Sequence, residues 1–357
     1  MKNWLLSIIL ALATSSVAQK IQLNVLSGNQ VDSAAKAYLL PNPVVTGVTM
    51  QVNWADFDNG LGTYNFTSID AAIQPWITAK KKVNLVVWEV ADNATTKCTN
   101  YGASNTGNCS VPANIWTKIG PSQYVNCTNQ YGTQRIQNYY NPVVQQNYQK
   151  AVAALFLHYQ SNSSIGYIRP GLGHGGESQP GSGWNDMTMP CGQAFSGAWK
   201  VNESSWETYL KMMLSNFALN KGHIQLMTGI VPMYGNQVPD YLASVAAPLS
   251  IGFGSQGWEK SDAVCSKATA DWCNLFAKYP NVPHELQTLL QTCGDNSCTT
   301  GSLTVLLPIA VKGGATILEI YESDWLTAFD PSSSGYKQYG AAYATALKAV
   351  NGVSGVK

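Results

Sequence analysis

Charge is scarce in this chain. Only 11% of its 357 residues are Asp, Glu, Lys or Arg, and 21 basic side chains nearly cancel 20 acidic ones. A chain so balanced has no basic footprint for nucleic acid and no polybasic patch for a membrane surface. Long apolar runs are missing too: past the first residues, no segment has the length or apolarity of a membrane span. The four histidines (His158, His174, His223 and His284) are scattered, and no CxxC pair or HExxH motif occurs, so no metal site is expected. His284-Glu285 lacks a second histidine four residues on, where Thr288 stands. The serine-hydrolase elbow G-x-S-x-G is absent, and the nearest approach, Gly252-Phe-Gly-Ser-Gln-Gly257, fails on spacing. No cofactor is implied.

The residues that are present point to export. Lys2, the apolar stretch Trp4 to Ala13 and the small-residue site Ser16-Val17-Ala18 predict a secretory leader over 1–18. The mature chain, 19–357, is then expected outside the cell as a soluble monomer. Six sequons, at Asn65, Asn93, Asn108, Asn126, Asn162 and Asn202, agree with that compartment. So do eight cysteines, an even number suited to disulfides. Cys265 with Cys273 and Cys293 with Cys298 are the local pairs expected; Cys98, Cys109, Cys127 and Cys191 leave three pairings open. A surface poor in charge but rich in amides and aromatics suits a carbohydrate partner, whose hydroxyls take hydrogen bonds and whose C–H faces stack on rings.

Short apolar, β-branched runs alternate with helical patterns, the signature of a parallel sheet with crossover helices. Eight strands are predicted, over 21–26, 47–53, 83–90, 165–172, 224–231, 249–254, 282–288 and 316–321. Helices are predicted over 68–80, 143–159, 205–220, 239–246, 268–278 and 340–350. The fold class expected is α/β, a single (β/α)₈ TIM barrel with long βα loops and disulfides, in one domain over 19–357. The two longest insertions, 93–141 and 173–202, fall in βα loops, on the face where such barrels keep their sites. Trp88, Trp116, Trp184, Trp199, Trp206 and Trp258 follow strand ends or sit in those loops, as cleft paving or as loop cores.

Gly171-Leu-Gly-His-Gly-Gly176 matches G-x-G-x-x-G after a strand, but loop sequence follows rather than the helix a dinucleotide site requires. These glycines let the backbone turn sharply near a ligand and deliver Glu177 to the barrel mouth. A carboxyl placed there fits the acid that protonates a departing glycosidic oxygen. Such chemistry needs a second carboxylate. Strand alternation puts Glu285 with Pro283 and Gln287 on one face, and Glu319 with Ile317 and Tyr321 on one face, so both acids can look inward.

Trp54-Ala-Asp-Phe-Asp-Asn-Gly-Leu-Gly-Thr-Tyr64-Asn-Phe66-Thr-Ser-Ile69-Asp70 resembles a segment of clan A glycoside hydrolases, where a tryptophan precedes G-x-Y-x-F-x-x-I-D. Gly166 to Glu177 is similar to the acid-bearing fourth strand of those barrels and to the glycine-rich Glu loop of β-amylases. Leu318-Glu-Ile-Tyr-Glu-Ser-Asp-Trp325 resembles their closing strand. The resemblance implies a retaining two-carboxylate hydrolase with Glu177 as acid/base and Glu285 as nucleophile, Glu319 being the alternative. It departs from the clan where Gly176-Glu177 replaces the usual Asn-Glu. Trp88, Glu89, His174, Gln256, Trp258, Tyr321 and Trp325 are the expected sugar contacts. A barrel that binds glycans without cutting them is the competing reading.

Overall fold

The computed structural model describes residues 20–27, 33–89, 110–129, 132–180, 186–217, 225–228, 237–260 and 272–351. The leader, the sequons at Asn93 and Asn108, Cys98, Cys109, Cys265 and Trp184 lie outside the described residues.

Runs such as Val83 to Val87 and Leu23 to Val25 are buried on both faces, as strands of a parallel sheet covered by helices must be. In chain order the strands are β1 (Gln22–Ser27), β2 (Gly47–Asn53), β3 (Lys82–Trp88), β4 (Tyr124–Asn129), β5 (Gly132–Gln137), β6 (Ile165–Pro170), β7 (Gln225–Thr228), β8 (Gly252–Trp258), β9 (His284–Thr288) and β10 (Ile317–Tyr321). Eight of them form one sheet in the order β6-β3-β2-β1-β10-β9-β8-β7, with every neighbouring pair parallel. The sheet curls until its edge strands β6 and β7 lie side by side, the barrel expected from the alternation. Its outer face packs on helices through side chains such as Ile73, Trp76, Leu155, Leu210 and Leu347.

All eight predicted barrel strands form. The eighth-numbered strand starts later than expected, at Gly252 rather than Leu249, because Ala247–Leu249 is a 3₁₀ turn stopped by Ser250 in the left-handed region (φ 61°). The helix Leu303–Lys312 was not expected: Pro308 sits inside it. Burial of Leu303, Leu306, Leu307 and Ala310 and the Ser302 cap on Thr304 N–H outweigh that proline. The antiparallel hairpin β4–β5, inside the insertion after β3, was also unforeseen.

Cys293 bonds Cys298 as expected, and Cys127 bonds Cys191, joining the hairpin to the loop after β6. Cys273 is disulfide-bonded as well. Asn65, Asn126 and Asn202 are exposed and Asn162 half-buried. Among the described residues no helix is long and apolar enough to cross a membrane, and no group of three or more His, Cys, Asp or Glu could hold a metal ion.

Candidate active site

Glu177 leaves the C-terminal end of β6 on a turn built from glycine. Leu172 N–H donates to Glu177 O at 3.0 Å and Glu177 N–H to His174 O at 3.1 Å, while His174 N–H reaches Gln179 O at 2.8 Å. Gly176 has φ 72°, and a Cβ there would stand 2.6 Å from Val86 Cγ1 and 2.8 Å from Trp88 Nε1. Only glycine fits. Trp88 and Val86 occupy the space that a side chain at position 176 would need. The Glu177 carboxylate accepts from the Gln179 side-chain amide, and the Trp206 indole, fully buried, donates to Ser178 O at 3.1 Å beneath the loop.

Glu285 and Glu319 do look inward, and they meet. Both are completely buried in the barrel, and the Tyr167 hydroxyl from β6 lies between them, 2.5 Å from Glu319 Oε1 and in hydrogen-bond contact with Glu285 Oε1. A phenol has one proton to donate, so a second proton is needed to bridge the other carboxyl. Arg169, two residues along the same face, stands 3.3 Å from Glu319 Oε2 and 3.8 Å from Glu285 Oε1, and its Nη2 donates to Gln287 Oε1 at 3.2 Å. Burial, and then repulsion from Glu319, push Glu285 well above the usual carboxylate range. Burial acts on Glu319 in the same sense, but the Arg169 cation and hydrogen bonds from Glu285, Thr49 and Tyr167 outweigh it and hold Glu319 below that range. The surroundings thus push the two carboxyls in opposite directions, Glu285 up and Glu319 down, and the two titrate as a pair. Burial weakens the Arg169 cation, yet Glu319, Glu285, Tyr167 and Glu177 together hold its pKa above the ordinary value. One guanidinium thus feels all three candidate carboxyls.

The inner network extends further. Thr49 Oγ1 lies 3.3 Å from Tyr167 Oη, Asn84 Nδ2 donates to Thr49 Oγ1 at 3.2 Å, and Tyr167 N–H donates to Asn84 Oδ1 at 3.2 Å. None of Tyr167, Arg169, Thr49 or Asn84 was singled out from sequence. The signal was present: Asn24, Thr49 and Asn84 each interrupt an apolar strand and are completely buried. A buried polar residue in an apolar strand needs a partner: Thr49 and Asn84 serve each other, and Asn24 Oδ1 accepts from Thr46 Oγ1 at 3.3 Å.

Other expected contacts divide. Trp88 ends β3, half-buried against Gly176. His174 Nε2 lies 2.7 Å from Gln134 Oε1 on β5, another residue the sequence reading missed. Gln256 and Trp258 flank the bulge at Gly257 in β8, and Gln256 pairs in register with Gln287. Tyr321 ends β10 with its hydroxyl 3.4 Å from Leu289 O. Trp325 corrects the expectation: it is fully buried in the helix Glu322–Phe329 and stacks on Phe329, so it packs the core rather than flooring a cleft. Several buried atoms at the strand ends, including Gln256 Oε1, Thr288 Oγ1 and Ser178 Oγ, have no hydrogen-bond partner among the described residues.

The architecture matches that of the catalytic domain of β-amylase from Paenibacillus polymyxa, with a TM-score of 0.58 at 11% identity over 92% of this chain and 100% of that one. A GH30 endoxylanase from Clostridium papyrosolvens C71 aligns with a TM-score of 0.48 at 10% identity, over 94% of this chain and 73% of that one. No protein-family model and no curated protein matches the sequence. The likeness is one of fold: the chain shares its curled parallel barrel with that β-amylase catalytic domain.

Proposed function

We propose that the chain is an exported glycoside hydrolase that cleaves O-glycosidic bonds of poly- or oligosaccharides by a retaining, two-carboxylate mechanism. The observation that carries this reading is the buried pair of Glu285 and Glu319 around Tyr167 and Arg169 of β6, with Glu177 held on the loop that leaves the same strand. Carboxyls kept in different protonation states by their surroundings are what divides acid from nucleophile.

In this reading Glu177 gives its proton to the leaving oxygen, and a carboxylate attacks the anomeric carbon. Water then attacks the resulting glycosyl ester while Glu177 takes the proton back. A nucleophile must be ionised. Glu319, which stands nearer the Arg169 cation (3.3 Å against 3.8 Å for Glu285), is therefore favoured over Glu285, reversing the order that the resemblance implied. Glu285 supplies the neutral partner that limits repulsion. The orphaned Gln256 and Thr288 oxygens suit sugar hydroxyls, and Trp88 a sugar's apolar face.

One observation favours a second reading, a secreted barrel that binds glycans without cutting them: Glu285 and Glu319 are both sealed from solvent. Sugar release from a panel of polysaccharides and aryl glycosides, comparing the parent chain with Glu177→Gln, separates the two. Release that falls at least a hundredfold in the variant supports the hydrolase. Binding with no release by either protein supports the second reading.

A further inference from the structure

Glu89, the residue after β3, is 1% exposed and has no part in the mechanism above. Gln137 Nε2, from the end of β5, donates to its Oε2 at 3.0 Å. The titratable groups that face it are the phenols of Tyr139, Tyr148 and Tyr209, each raised by burial first and by the Glu89 charge second. No cation among the described residues offsets a charge here, and burial pushes the carboxyl well above its ordinary range. The other oxygen of each side chain, Glu89 Oε1 and Gln137 Oε1, is buried without a partner among the described residues. Two acceptors cannot satisfy each other. A single proton on Glu89 Oε1 turns one of them into a donor and resolves both.

We propose that Glu89 is a neutral carboxylic acid closed onto the Gln137 amide through two antiparallel hydrogen bonds, and that this pair is a positioning device for the Glu177 loop. One arm is the observed Gln137 N–H to Glu89 Oε2 bond; the other runs from Glu89 O–H to Gln137 Oε1. The pair fixes β5 to the end of β3. The same strand presents Gln134 to His174, three residues before Glu177, so β5 registers the loop against the barrel. An ionised Glu89 would set two acceptors face to face in a cage of phenols and release that register. The consequence for turnover rests on Glu177 being the acid; the pairing itself does not.

The test uses the full chain. In infrared difference spectra at neutral pH between the parent and Glu89→Gln, a protonated-carboxyl carbonyl band that disappears in the variant is the expected result. A change confined to carboxylate bands overturns the proposal. Glu89→Gln keeps both arms as an amide pair, so the His174 ring resonances in an ¹⁵N-histidine sample should stay put, whereas Gln137→Ala should shift them. Unmoved His174 resonances in folded Gln137→Ala overturn the positioning role. With hydrolysis established, Gln137→Ala should lower kcat about tenfold or more with little change in KM. If the band and the resonances behave as expected but kcat does not move, the reading of Glu177 fails and the acid–amide pair stands.

Discussion

Gln134 Oε1 lies 2.7 Å from His174 Nε2, so the loop that carries Glu177 is tied to a hairpin inserted between β3 and the helix Pro142–Tyr159. Gln134 is 2% exposed, and its removal takes this hydrogen bond from the half-buried His174 ring. Gln134→Leu should cost about 1–3 kcal/mol, read as a lower urea midpoint, and should lower sugar release more than the stability loss alone accounts for. Sugar release in proportion to the folded fraction would show that the contact is structural only.

The buried acid pair makes a second, asymmetric prediction. Burial and the neighbouring Glu319 raise Glu285 and so favour its neutral form, which Glu285→Gln mimics in shape; that variant should cost less than about 1.5 kcal/mol. Glu319→Gln strips Arg169 of its counter-charge inside the barrel and should cost about 3–5 kcal/mol. Urea unfolding of both variants at pH 7 decides it. Equal losses would mean that the proton is not localised on Glu285. The pH signs also differ. Stability from Glu319, whose folded value is depressed, is lost as pH falls through that value; stability from Glu285, whose folded value is raised, is lost as pH rises through its own.

Much of this site was readable before any coordinates, for a physical reason. Strand parity is local, so Glu285, Gln287, Glu319 and Tyr321 could be aimed from spacing alone, and they point as expected. Glu177 drew attention because glycine at a strand end has few uses, and the structure does place it on a glycine turn after β6. What parity cannot give is which inward residues face one another across the barrel. Tyr167 and Glu285 are 118 residues apart, and their meeting depends on sheet closure. The hairpin contacts of Gln134 and Gln137 were hidden in the same way, within an insertion whose polar sequence reads as loop. Trp325 failed for a related cause: its helix starts directly at Glu322, which turns the indole into the wall.

Asp324 gives a pH signature away from the acids of the barrel. Burial raises its pKa from 3.8 to about 6, although Thr292 donates to it through N–H at 3.1 Å and Oγ1–H at 2.8 Å. The folded state then binds this proton more tightly than the unfolded state does. Its contribution is fully present below pH 4 and is lost as pH rises through about 6, amounting to roughly 2–3 kcal/mol. Asp324→Asn should flatten that part of the Tm–pH curve between pH 4 and 7. An unchanged curve would mean that the two donors of Thr292 offset the burial.

Gly176 offers the most direct check on how the loop is built. Its φ of 72° disfavours any side chain, and a Cβ would run into Val86 and Trp88. Asparagine tolerates that φ better than most residues, so Gly176→Asn isolates the steric conflict. The barrel itself does not depend on this turn, so Tm should fall by only a few degrees, for about 1–2 kcal/mol of strain. Glu177 should nevertheless be displaced and sugar release lost by about a hundredfold. Adding Val86→Ala removes the 2.6 Å overlap but not the one with Trp88, so recovery should be partial. Full activity in the single variant would mean that Trp88 moves aside freely and that the glycine is not what places the acid.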